Sequence, residues 1–151
     1  MIIKEVKPFI LLGLSIKTTN EDGRSSIDCG NLWQKFELEN YADKIPGKLN
    51  DDIIAVYYDY EGDHTMPFSY FLGCCVKQHV EVPTELKSYL VRGGIYKVFK
   101  ASGKMPDCVA NCWKEIWNSS INRAYEADFE VYDERSKNWN NAEVDIYISI
   151  K

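Results

Sequence analysis

Apolar positions along the chain repeat every second residue in some stretches and every third or fourth in others, and the order of these stretches carries information. Residues 6–17 read as a strand. The stretch SSIDCGNLWQKFELEN predicts a helix capped by Ser26, with Cys29, Trp33 and Phe36 sharing a face. DDIIAVYYDYEGD then predicts a strand that ends in a tight turn, and FSYFLGCCVKQHV predicts its hairpin partner. From residue 94 the same order returns. IYKVFKAS is a strand, and a helix follows that opens at Pro106 and Asp107 and carries Val109, Cys112, Trp113, Ile116 and Trp117 as an apolar stripe. ADFEVYDE and EVDIYISI close the chain as a hairpin around RSKNWNN.

A β-α-β-β order that occurs twice predicts an α+β fold built by tandem duplication. Residue echoes support this: Asn31-Leu32-Trp33-Gln34-Lys35-Phe36 resembles Asn111-Cys112-Trp113-Lys114-Glu115-Ile116, and Val56-Tyr57 resembles Val131-Tyr132. A half of this size has one helix to cover three strands. The halves, about 1–85 and 86–151 within a single domain spanning 1–151, are therefore expected to join into one curved antiparallel sheet with two helices flanking a groove.

One charge interrupts the pattern. Glu130 stands among Phe129, Val131 and Tyr132, where a carboxylate loses its hydration. Aligning the halves on Val56 and Val131 puts Ala55 where the second half has Glu130, so the duplication carries one acid, off the pseudo-symmetry axis in sequence terms. Tyr57 and Tyr132 fall on the same strand face as Ala55 and Glu130. In the last strand Val144, Ile146, Ile148 and Ile150 form the face that meets the helices, and a hairpin turning near residue 138 sets Glu130 opposite Ile146. The alternative reading of Glu130 is an exposed strand glutamate paired with Lys137. Trp113, Trp117, Tyr57 and Tyr132 likewise have a plain reading as core packing.

Composition narrows the classes. At 151 residues, 45% hydrophobic and 27% charged, the chain is an ordinary globular domain. With 23 acidic against 18 basic residues its net charge is -5, which argues against direct nucleic-acid binding. PFILLGL is too short for a membrane span and lacks a cleavage site, and five unpatterned cysteines suit reduced thiols, so a cytoplasmic location is expected. Cys108 and Cys112 lack further ligands for a metal, His64 and His79 read as surface residues, and Gly93-Gly94 as a turn rather than a phosphate loop. No metal and no cofactor is expected.

Taken in order, Leu12-Gly13-Leu14, Trp33-Gln34-Lys35-Phe36, Ile54-Ala55-Val56-Tyr57, Tyr70-Phe71-Leu72-Gly73, Gly94-Ile95-Tyr96, Trp113 with Ile116-Trp117, and Asp128-Phe129-Glu130-Val131-Tyr132 resemble the GyrI-like small-molecule-binding family. This is the effector-binding domain found at the C-terminus of multidrug-sensing bacterial transcription activators and also as a stand-alone protein. The resemblance implies two SHS2-like modules and a groove in which an acid, mapping onto Glu130, and aromatic walls hold lipophilic cations. On this reading the ligand-binding residues are Glu130, Trp113, Tyr132, Tyr57 and Trp33. The chain opens directly on the effector module without a helix-turn-helix, so a regulatory output implies a separate DNA-binding protein.

Two further functions stay open. The same glutamate, raised in pKa by burial, activates water if the protein is a hydrolase of cyclopropanoid electrophiles, as some GyrI-like proteins resemble. The third reading is a gyrase-inhibitor-like protein-interaction module. A homodimer is a further candidate partner, through an apolar patch of Phe129, Val131 and Tyr147 on the uncovered sheet face.

Overall fold

The computed structural model describes residues 2–151. Eight strands form one antiparallel sheet: β1 (Ile2–Val6), β2 (Phe9–Thr18), β3 (Ile53–Tyr58), β4 (Phe68–Val76), β5 (Lys87–Val91), β6 (Gly94–Gly103), β7 (Ala127–Tyr132) and β8 (Ala142–Ser149). Their order across the sheet is β1-β6-β8-β7-β3-β4-β2-β5. The helices are α1 (Arg24–Leu38), the single turn α2 (Tyr41–Lys44) and α3 (Asp107–Trp117). β2-α1-β3-β4 and β6-α3-β7-β8 are the two β-α-β-β halves, and the strand order reads outward alike from the β3–β7 seam.

The strand expected over residues 6–17 is β2, and a further strand, β1, precedes it. Pro8 between them has no N–H for a ladder, so the chain leaves one sheet edge there and joins the other. β5 was not expected at all. These two additional strands are exchanged: β1 leads into β2 but pairs with β6, and β5 leads into β6 but pairs with β2. Each half thus supplies the edge strand of the other.

Ser26 does not cap α1. A 3-10 turn at Glu21–Gly23 carries the chain into the helix three residues earlier, with Gly23 at φ 68 as the N-cap and no side-chain capping bond. The adjacent Ser25 hydroxyl donates instead to Asn20 Oδ1 at 2.7 Å. α3 does open at Pro106 and Asp107.

Both helices lie on one face of the sheet. Leu32 and Phe36 of α1 pack on a core with Leu12, Leu14 and Leu72, while Cys112 and Ile116 of α3 pack on Val144, Ile146 and Ile148. The even-numbered face of β8 meets the helix as the alternation predicts. Trp33 and Trp113 follow the buried Leu32 and Cys112 by one residue, so each indole turns toward the space between the helices.

The opposite face is also a core. Leu11, Ile54, Val56, Phe71, Tyr96 and Phe129 cluster there without any helix over them. Phe9 on β2 and Phe129 on β7 are three strands apart, about 14 Å in a flat sheet, yet their ring centroids are 5.3 Å apart. The sheet therefore curls on itself. Gly13 and Gly73 are cross-strand partners, and a Cβ on Gly13 would lie 1.9 Å from the Leu72 carbonyl oxygen, an approach only glycine permits at such a bend. Of the apolar patch expected from Phe129, Val131 and Tyr147, the curl covers Phe129, which is 4% exposed beneath Phe9, while Val131 and Tyr147 stay part-exposed.

At the seam, Ala55 pairs with Glu130, and Ile53–Tyr58 runs antiparallel to Ala127–Tyr132. Because Ala55 and Glu130 are the duplicated equivalents of each other, the pseudo-two-fold axis passes between them. This corrects the sequence-based placement of Glu130 off that axis. Directly opposed Cα atoms are about 4.5–5.5 Å apart, so a second acid here would bring two buried carboxylates together. Ala55, fully buried, leaves room for one. Ala55→Glu is expected to destabilise the fold by about 3 kcal/mol or more through overpacking and like-charge burial, read as a fall in the urea midpoint; an unchanged midpoint contradicts the axis geometry.

Candidate functional site

Glu130 is 1% exposed. Strand alternation points it toward the helices, and its register partners Ala55 and Ile146 supply no charge to meet it. Three neutral donors converge on the carboxylate: Trp113 Nε1 donates to Oε2 at 2.6 Å, Tyr57 Oη to Oε2 at 3.0 Å, and Tyr132 Oη to Oε1 at 2.7 Å. Burial pushes the Glu130 carboxyl above its ordinary value, and the three hydrogen bonds only partly offset that rise. Lys137, the surface partner considered for it, bonds Glu134 at 2.9 Å instead.

The residues singled out from the sequence come together. Trp33 meets Tyr132 edge-on with centroids 4.7 Å apart and donates from Nε1 to Tyr70 Oη at 2.8 Å. Tyr57 lies 4.9 Å from Trp113 and 5.0 Å from Tyr70. Trp33, Tyr57, Trp113, Glu130 and Tyr132 all line one groove of about 1130 Å³ between α1 and α3, with β3, β4 and β7 beneath. That volume suits a drug-sized ligand. Asp51, Asp52, Asp133 and Glu134 edge the same groove against Lys137, which makes that edge acidic.

Several lining residues escaped the sequence reading. Tyr70 and Phe68 share the even-numbered parity of Leu72 and Cys74, a signal that was available. Trp117, read as core, is half-buried, lines the groove and stacks on His64 at 5.1 Å and 11°. His64 is thus part of the groove, while His79 is exposed.

A second buried acid, Asp128, has the strand parity of Glu130 and a different fate. At 0% exposure it forms an ion pair with Arg123 at 2.7 Å, and it accepts from Tyr60 Oη at 2.5 Å and from the Ser149 backbone N–H at 2.7 Å. Asp128 is neutralised within the fold. Glu130 is buried with hydrogen bonds from neutral donors only, and no cation of the fold pairs with it.

A curled antiparallel sheet with two helices flanking an aromatic groove defines an effector-binding domain of the GyrI-like kind. The chain belongs to the Cass2 family of integron-associated effector binding proteins, whose model matches residues 2–150. It is 33% identical to the integron cassette protein VCH_CASS2 from the mobile metagenome of Vibrio cholerae, whose crystal structure superposes with a TM-score of 0.77 over 99% of this chain and 94% of that one. A Bacillus subtilis (strain 168) protein, YobU, described as a candidate transcriptional regulator, is 28% identical over 149 residues, 92% of this chain and 90% of its own. The fold also matches SAV2435, solved with bound tetraphenylphosphonium, with a TM-score of 0.81 at 16% identity over 99% of this chain and 92% of that one. Among the described residues no helix is long and apolar enough to cross a membrane.

The raised Glu130 carboxyl makes stability depend on pH. Between the ordinary glutamate value of 4.5 and its raised value in the fold, the folded state keeps a proton that the unfolded chain releases. Raising pH through that window therefore removes stability from the ligand-free protein. Wild type is expected to lose stability relative to Glu130→Gln as pH rises from 4.5, followed by urea denaturation at each pH; parallel curves would show that Glu130 is not held in the protonated form.

Proposed function

We propose that this protein binds amphipathic, cationic small molecules in the groove between α1 and α3, as an effector-binding or sequestering protein. Glu130 is the counter-ion, and Trp33, Trp113, Tyr57 and Tyr132 are the walls. The observation that carries this reading is the uncompensated carboxylate, buried among donors that are all neutral side chains. A carboxylate has about four acceptor sites, and three donors leave one on Oε1. A cation arriving there finds a charge that water screens poorly. Aromatic faces add cation-π attraction of roughly 0.5–2 kcal/mol and large contact area at little entropic cost. Flat walls around a single fixed charge select a class of ligand rather than one molecule. That SAV2435, a protein of this fold, holds tetraphenylphosphonium supports the reading. A regulatory output, in line with the description of YobU, passes on this reading to a separate DNA-binding protein.

Titration of tryptophan fluorescence with tetraphenylphosphonium tests the proposal. Glu130→Gln is expected to weaken binding by about 2 kcal/mol or more, roughly 30-fold, while an uncharged aromatic ligand of similar size loses little. Wild-type affinity is expected to climb as pH rises above 4.5 and the carboxylate ionises; Glu130→Gln shows no such climb. Equal losses for charged and uncharged ligands would falsify the counter-ion role. Product analysis of the same mixtures tests the hydrolytic alternative, for which turnover absent in Glu130→Gln is the positive result.

A further inference from the structure

Arg123 is 7% exposed and lines the same groove as Glu130. Its Nη2 is paired with Asp128, but Nε and Nη1 are buried without a hydrogen-bond partner, and they are the buried side-chain atoms among the described residues of which this is true. Asp128 cannot take them. A carboxylate offers about four acceptor sites, and those of Asp128 are met by Arg123 Nη2, Tyr60 Oη, and the Ser149 N–H and hydroxyl. The guanidinium lies 4.2 Å from the Tyr125 ring centroid, which covers a face and accepts no in-plane N–H. Buried donors left unmet carry a desolvation cost that an acceptor relieves.

Trp113 connects this arginine to the cation position. Its Nε1 donates to Glu130, and the Arg123 guanidinium carbon is 5.8 Å from its ring centroid. Asp128, which holds Arg123, and Glu130 are two residues apart on β7 and face the same way, a separation of about 7 Å along a strand. Arg123 and Asp128 cancel as charges, so the arginine does not repel a cation at Glu130; what it offers is spare hydrogen-bond donors.

The geometry points to a bipolar groove: Glu130 takes the cation of a ligand, and Arg123, through Nε and Nη1, takes an oxygen acceptor elsewhere on the same ligand. The cation half of this statement rests on the function proposed above. The acceptor half stands on the arginine alone. Ligands that carry a carbonyl or carboxylate oxygen on a short chain from a lipophilic cation are thereby preferred over hydrocarbon cations of the same size.

Three matched phosphonium probes test this: pentyltriphenylphosphonium, (4-carboxybutyl)triphenylphosphonium and the methyl ester of the latter. Wild type is expected to bind at least one acceptor-bearing probe about tenfold more tightly than the pentyl probe, the better of the two telling a carboxylate from a neutral carbonyl. The paired variant Arg123→Gln with Asp128→Asn removes both charges together, and the preference is expected to fall to near one. Should that variant fail to fold, the arginine Nε–H resonances of wild type decide: the Arg123 signal is expected to shift with the acceptor probe and to stay in place with the pentyl probe. Equal affinity for all three probes in wild type, a preference that persists in the folded variant, or an unmoved Arg123 signal overturns the proposal. The all-carbon methyl ester, with a triphenylmethyl group replacing phosphonium, separates the two halves. Arg123-dependent binding of this neutral ester with none of the pentyl cation upholds the acceptor site and rejects the cation reading, whereas binding of neither rejects both.

Discussion

The pairing of β3 with β7 is the constraint from which the site follows. It is the one place where the two halves join through their central strands, and it puts Ala55 directly opposite its duplicated equivalent, Glu130. On such an axis any residue repeated in both halves would face itself. A repeated glutamate would oppose two carboxylates at a few ångströms in a buried position, a cost the fold avoids by keeping alanine on one strand. Asymmetry at this single pair leaves a near-symmetric floor with one buried carboxyl at its centre.

The surrounding packing leaves that acid without a cation from the fold. Tyr57, Tyr132 and Trp113 meet it with N–H and O–H groups, which hold the carboxylate in place without cancelling it. Two residues away Asp128 is cancelled by Arg123. The contrast matters because burial penalises both acids: one is paired within the chain, and the other keeps an elevated pKa. In the proposed function these donors fix where a ligand's charge would sit, while the aromatic faces beside them impose little shape.

The curl of the sheet serves the same end. Closing the face behind β3 and β7 with Phe9, Phe71 and Phe129 gives the groove floor a packed backing, and exchange of β1 and β5 between the halves holds both outer edges. The helices then have only the other face to occupy, and the duplication spaces them on either side of the seam.

Much of this was legible in the chain, because it follows from periodicity. The repeated β-α-β-β order, the helix stripes, the shared face of Tyr57 and Tyr132, and the Glu130–Ile146 register all come from side-chain alternation and turn position. Parity also marked Asp128 and Tyr70 as facing the helices, although neither drew notice beside Glu130. Other features depend on distance rather than on pattern. Nothing local sets apart Arg123, a lone arginine in a connecting segment, until the fold brings Asp128 and Tyr125 to it. The strand exchange of β1 and β5, the burial of Phe129 and the position of Glu130 on the axis are consequences of which strands meet and how far the sheet curls. Sequence alone determined which faces are apolar and that one acid stands among aromatics; only the tertiary structure decided which acid is neutralised, because that depends on a cation brought close in space.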